Sequence, residues 1–141
     1  MPNVIKIYPS FKLYILGSDQ GELKNLNSLL IENNLVGHVI FEGFVENPYV
    51  YYAHCDLFIL SSRREGFPNV LLENYHLNTP IVSTRCVPVV EQLIRDGKNG
   101  FTCSVNNHIE LAEKILECLT IKRGDIKNPP YEGSNLEVLL K

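Results

Sequence analysis

Between Asp56 and Glu73 the chain passes from a short apolar run to a helix-like pattern across a loop punctuated by Gly66 and Pro68. No other segment constrains the fold as tightly. Gly66 accepts backbone angles that other residues avoid, and Pro68 carries a φ already close to helical, which favours the first helical position. The spacing predicts a strand-turn-helix corner with its helix over Pro68–Leu77. The leading amides of such a helix, those of Asn69, Val70 and Leu71, lack acceptors within it and form an anion site suited to a pyrophosphate.

Short apolar runs alternate with helical stretches along the rest of the chain, which predicts an α/β fold: a Rossmann-like parallel sheet with helices on both faces. The strand candidates are Lys12–Leu16, Val39–Phe41, Leu57–Leu60, Ile81–Ser83 and Phe101–Cys103. Leu23, Leu26, Leu29 and Leu30 recur at helical spacing in Gly21–Asn33, and Leu111, Ala112, Ile115, Leu116 and Leu119 do so in Asn107–Leu119. Asn47–Ala53 and Pro88–Arg95 are shorter helix candidates. Residues 1–120 read as one domain. After Thr120 periodicity fades and Pro and Gly accumulate, so 121–141 reads as a loose extension with a hint of a helical turn at Leu136–Leu140.

A chain of 141 residues with 45% apolar side chains can bury one core. Its formal net charge of −3, with no basic stripe, argues against a nucleic-acid surface. The apolar runs have strand length, so neither a membrane span nor a secretory signal is read, and a cytoplasmic location is expected. Cys55, Cys86, Cys103 and Cys118 show no Cys-x-x-Cys spacing and are read as reduced core residues. His38, His54, His76 and His108 fit no metal template, and Ser61 and Ser62 lie in no nucleophile elbow. Asp19, Asp56 and Asp96 are dispersed. Neither a metal nor another cofactor is expected. Gly17 to Gly21 does not match a dinucleotide fingerprint and reads as a simple turn.

The two glutamates flanking the corner suit different tasks. An ionised carboxylate is acceptor-only and can take two hydroxyl protons, so Glu73, inside the helix, suits a ribose diol. Glu65, in the preceding turn, suits a hydroxyl of a transferred sugar and is the catalytic candidate, its charge favouring an oxocarbenium-like transition state. Arg63 and Arg64 could reach a pyrophosphate, although arginines at a loop entrance are commonly solvated.

Lys12-Leu-Tyr-Ile-Leu-Gly17, Val39 to Val45, Asp56 to Arg63, Glu65-Gly-Phe-Pro68, Glu73, Pro80 to Thr84, Glu91 and Asp96 to Phe101 together resemble the C-terminal, donor-binding half of a GT-B retaining glycosyltransferase of family four. The Glu-x7-Glu spacing of Glu65 and Glu73 is the most specific element. The resemblance implies that Glu65 contacts the donor sugar, that Gly66, Phe67, Pro68, Asn69, Val70 and Leu71 contact sugar hydroxyls and phosphate, and that Glu73 holds the ribose. Phe44 and Val45 are weak candidates for flanking the base. It implies transfer of a sugar, with its configuration kept, from a nucleotide diphosphate donor such as a UDP-sugar to a glycan or lipid-linked acceptor, as in polysaccharide biosynthesis. Peripheral membrane association of a full enzyme is compatible with it.

The chain departs from that family pattern in three places. The acceptor-binding N-terminal half is absent, so the isolated chain is not expected to turn over. The opening strand of the donor domain, which would lie between Lys12–Leu16 and Leu57–Leu60, is absent too, leaving two inner strand edges; Val4–Tyr8 either replaces it or ends a helix. Val87-Pro88 stands where Gly-Gly is usual before Glu91, and Asn74-Tyr75 stands where a small residue follows the second Glu. Two other readings stay open: a non-catalytic nucleotide-sugar-binding fragment that needs a partner chain, and half of a sugar-nucleotide epimerase.

Overall fold

A computed structural model describes residues 1–129. The Leu136–Leu140 expectation lies outside them. The chain divides into two compact units, Met1–His54 and the residues from Cys55 onward. Within the first, helix α1 (Pro2–Ile7) is followed by strand β1 (Leu13–Leu16), helix α2 (Leu23–Glu32), strand β2 (Val39–Gly43) and helix α3 (Tyr49–His54). β1 and β2 pair in parallel, Leu13 opposite Val39, with a register shift between Ile15 and Leu16. Proline at the start of α1 costs nothing there because its missing N–H would be unpaired anyway. Val4–Tyr8 is therefore helical through Ile7 and does not act as a replacement strand.

The Gly17–Gly21 segment is the turn its composition suggests. Gly17 and Gly21 take φ of 138° and 95°, and the Asp19 carboxylate accepts the Gly21, Glu22 and Leu23 amides at 2.8, 3.1 and 3.3 Å. Asp19 thereby caps α2 in place of Glu22, whose side chain makes no capping bond.

The second unit runs strand β3 (Phe58–Leu60), helix α4 (Asn69–His76), strand β4 (Ile81–Thr84), helix α5 (Val89–Leu93), strand β5 (Gly100–Cys103), helix α6 (His108–Cys118) and a 3-10 turn (Arg123–Asp125). Its sheet is parallel in the order β3-β4-β5, and Ile81 pairs with both Phe58 and Gly100. The central strand β4 is buried along its whole length, as a parallel strand covered on both faces must be. Leu71, Leu72 and Tyr75 of α4 pack with Val89, Val90 and Leu93 of α5 against Leu60 and Ile81. Each such aliphatic side chain contributes about 1.5–3 kcal/mol by leaving water. Ile115 and Cys118 of α6 are buried as well.

The described strands thus form separate two- and three-stranded parallel sheets, β1 and β3 each with one edge unpaired by a described strand. Residues 121–129 differ from the loose extension their composition suggests. Arg123 donates to the Cys55 carbonyl and the Thr79 hydroxyl at 2.9 Å each, Ile126 is buried, and Asn128 donates to the Tyr75 carbonyl at 2.7 Å. Long-range polar contacts of this kind leave no periodic trace in the sequence. The cysteine expectation holds for Cys103 and Cys118, which are buried, whereas Cys55 and Cys86 are only half-buried; all four are free thiols.

Candidate functional site

The strands of a parallel sheet deliver their following loops to one end, where ligands of open α/β folds bind. In the second unit that end carries a cleft of about 620 Å³ lined by Ser61 and Arg63 after β3, Thr84 at the end of β4, and Asn106, Asn107, His108 and Leu111 where α6 begins. Arg63 has no hydrogen-bond or ion-pair partner among the described residues. Arg85, by contrast, is committed: its guanidinium donates to Thr102 Oγ1 and Ser104 Oγ at 3.2 and 2.9 Å and lies 3.7 Å from Glu110.

The loop from Ser61 to Glu65 is held from two sides. The buried Thr84 hydroxyl donates to the Ser62 carbonyl at 2.5 Å, and the Ser62 hydroxyl donates to Glu65 Oε1 at 2.6 Å. A short bond to an ionised acceptor is among the stronger polar contacts available to a side chain. It orients Glu65 while leaving its second oxygen unengaged by Ser62.

The corner differs in detail from the sequence expectation. Pro68 is the residue before the helix, not its first member, with φ −83° and ψ 83°. Gly66 does not adopt a left-handed φ; a Cβ placed there meets nothing within 4 Å, so its local property is open backbone. Two of the three amides expected to be free are taken locally, the Asn69 N–H by the Phe67 carbonyl at 3.1 Å and the Leu71 N–H by the Pro68 carbonyl at 2.9 Å. Tightening of a first turn commonly consumes donors in this way. The Val70 N–H keeps no acceptor among the described residues, and no side chain caps α4. Glu73 sits on α4, half-buried, with no partner among the described residues. Its neighbour Asn74 is fully buried, donating to the Val70 carbonyl at 2.8 Å with its Oδ1 unpaired.

Glu65, Phe67 and Glu73 therefore occupy the corner, while the cleft is walled in large part by residues that were not candidate site residues: Thr84, Asn106, Asn107 and Leu111, with His108 considered only as fitting no metal template. One local signal pointed there. Asn107 caps α6, the Glu110 N–H donating to Asn107 Oδ1 at 3.1 Å while Glu110 Oε2 accepts from the Asn107 side-chain Nδ2 at 3.1 Å and from the Ser104 N–H at 2.9 Å. Those bonds from Ser104, with Arg85 nearby, hold the Glu110 carboxyl below the usual glutamate range. Phe44 and Val45 belong to the first unit, just past β2, where Phe44 is 81% exposed and Val45 half-buried. The Nδ1 atoms of His38, His54 and His76 face backbone carbonyls of Phe11, Val50 and Leu72 at 3.0, 2.8 and 2.7 Å. Among the described residues no His, Cys, Asp and Glu cluster could hold a metal, and no helix is long and apolar enough to cross a membrane.

Comparison with known proteins bears on the same segments. The chain is 37% identical over 115 residues to an N-acetylgalactosaminyltransferase of Campylobacter jejuni that acts on a diphospho-undecaprenol-linked sugar, an alignment covering 81% of this chain and 31% of that protein. It is 43% identical over 84 residues to an uncharacterised glycosyltransferase of Methanocaldococcus jannaschii, covering 59% of this chain and 20% of the other. Among solved structures, Anabaena HepE in complex with UDP superposes with a TM-score of 0.73 at 27% identity, over 84% of this chain and 34% of that one. Staphylococcus aureus TarM superposes at 0.76 with 22% identity, over 85% and 24%, a likeness of fold and matching one part of a GT-B structure. The chain spans about a third or less of the length of these relatives. The family model for glycosyl transferases group 1 matches residues 2–128, nearly the whole described chain, and to that family this protein belongs.

Proposed function

We propose that this chain forms the donor-binding portion of a retaining glycosyltransferase, which moves a sugar from a nucleotide diphosphate donor, a UDP-sugar, to a glycan or lipid-linked acceptor. The observation that carries the reading is the α4 corner. An uncapped helix start, a loop pinned by Thr84 and Ser62, and a partnerless Glu73 converge beyond the carboxyl end of β3. The family membership and the UDP complex of the HepE relative support the choice of donor.

In this reading the Val70 N–H and the positive end of α4 meet the diphosphate, and Arg63 adds a cation that no carboxylate neutralises. Because Asn69 and Leu71 already have acceptors, the amide contribution is smaller than three free donors would supply, and Arg63 carries more of it. Glu73 accepts both hydroxyls of the ribose. Glu65, fixed by Ser62, accepts a hydroxyl of the transferred sugar with its remaining capacity and places negative charge beside the anomeric carbon. As the glycosidic C–O bond breaks, positive charge grows on the sugar and negative charge on the leaving phosphate; Glu65 favours the first, and Arg63 with the helix end favours the second. Attack by the acceptor hydroxyl from the face the leaving group departs keeps the configuration, and the hydroxyl proton passes to the departing phosphate oxygen as the new C–O bond forms. The alignment covers only 31% of the Campylobacter relative, so acceptor contacts are assigned to residues outside these 141, and the chain alone binds donor without turning it over.

Glu73→Gln tests the assignment. It removes the charge while keeping one acceptor oxygen, and a hydrogen bond to a charged group is worth about 1.5–3 kcal/mol, so UDP affinity should fall roughly tenfold or more by calorimetry. Unchanged affinity would remove Glu73 from the ribose, and sugar transfer by the purified chain alone would overturn the division of labour.

A further inference from the structure

At the opposite end of the same sheet lies a second basin of about 510 Å³, formed where the turn before β5 meets the segment after α6. Arg95, Lys98, Lys122 and Lys127 line it with a single carboxylate, Asp125, a local formal charge of +3 in a chain whose total is −3. None of the four cations forms an ion pair among the described residues. Clustered like charges repel one another, and the one carboxylate among them, Asp125, offsets only one of the four, so an anion in the basin would relieve the remaining repulsion.

The basin is built rather than incidental. Asn99, 1% exposed, accepts the Arg95 N–H through Oδ1 at 2.7 Å and donates through Nδ2 to the Leu93 carbonyl at 2.9 Å and to Asn128 Oδ1 at 2.7 Å. Asn128 in turn donates to the Tyr75 carbonyl at 2.7 Å. The two walls are thus tied through one buried side chain, and the turn bearing Lys98 is closed by Gly97, at φ 75°, donating to the Gly100 carbonyl at 3.0 Å. Positions of the cationic backbone segments are therefore set before any ligand arrives. An arginine fork with three ammonium groups matches the several oxygens of a phosphate better than a lone carboxylate. β5 separates the basin from the cleft that receives Ser61 and Arg63, so the donor phosphates do not account for it.

We propose that this basin is a second binding site that takes a phosphate-class anion, a phosphomonoester or the headgroup of an anionic lipid. The test uses the 15N-labelled chain titrated with inorganic phosphate at constant ionic strength, alongside flotation with phosphatidylcholine vesicles with and without phosphatidic acid. Saturable amide shifts at Lys98, Asn99, Lys122 and Asn128, weakened at least tenfold in Lys98→Glu/Lys122→Glu, identify the site and a free phosphate ligand. Vesicle binding that requires phosphatidic acid and is lost in the same variant, without a free-phosphate response, identifies a lipid headgroup. The uncharged Lys98→Gln/Lys122→Gln variant repeats both arms should the charge reversal disturb the fold. Wild-type protein that answers neither probe, or variants that answer as wild type does, would overturn the proposal. UDP binding read at Val70 and Glu73 is independent of either outcome.

Discussion

Gly100 offers the sharpest perturbation, because a single methyl group there meets backbone and nothing that can yield. A Cβ at Gly100 would lie 1.9 Å from the Ile81 carbonyl oxygen, 2.8 Å from its carbon and 3.1 Å from the Ile81 nitrogen, where contacts below 3.0 Å are essentially never seen. Gly100 and Ile81 are register partners on β5 and β4, so relief requires the two strands to separate locally by about an ångström. The neighbouring Ile81 N–H to Asn99 carbonyl bond, 3.0 Å long, would stretch beyond useful range. Both residues are buried, at 0% and 1% exposure, so water cannot replace the lost partner. Each buried polar group left unpaired costs about 1–3 kcal/mol, and a donor and an acceptor are orphaned together, which gives about 4 kcal/mol for Gly100→Ala. That is a large share of the roughly 5–15 kcal/mol holding a typical domain together. Urea unfolding followed by circular dichroism measures it, with Gly66→Ala as the comparison, since the methyl there enters open space and should change stability by less than about 0.5 kcal/mol. A loss below about 1 kcal/mol for Gly100→Ala would refute the reasoning, because it would mean the strands separate without losing their ladder. The variant should also weaken UDP binding, since β5 delivers the start of α6 to the cleft.

Other predictions rest on single contacts. Thr84→Val keeps the shape of the side chain but removes the donor to Ser62; it should cost about 1 kcal/mol of stability and weaken UDP binding severalfold, and calorimetry giving wild-type affinity would show that the loop needs no such anchor. Burial pushes the Cys118 thiol up to about 12 and raises that of Cys103, so native-state alkylation at mildly alkaline pH should spare both until denaturant is added; prompt labelling of either would contradict their burial. Because bonds from Ser104 depress the folded pKa of Glu110, its contribution is complete above the unfolded glutamate value and is lost as pH falls through the lower folded value. Glu110→Gln should therefore flatten the acid side of the stability profile, and parallel profiles from urea titrations at successive pH values would remove the effect.

The alternation of short apolar strands with amphipathic helices was legible from side-chain periodicity, which depends only on near neighbours. So was the strand-turn-helix corner around Gly66 and Pro68, because backbone preference acts within a turn or two. Three features lay beyond that range. Donors on Asn69 and Leu71 are consumed by the geometry of one tight turn, which composition does not specify. Thr84 and His108 join Ser61 at one cleft only because β3, β4 and β5 align in parallel, and strand pairing couples residues tens of positions apart. The segment 121–129 folds back through Arg123 and Asn128, whose partners Cys55, Tyr75 and Thr79 are remote in sequence. By itself the sequence determined which segments would be strands and helices and that a turn would precede α4. The tertiary structure decided which side chains wall the two basins, since charge and hydrogen-bond complementarity across a sheet depend on distances that no local pattern encodes.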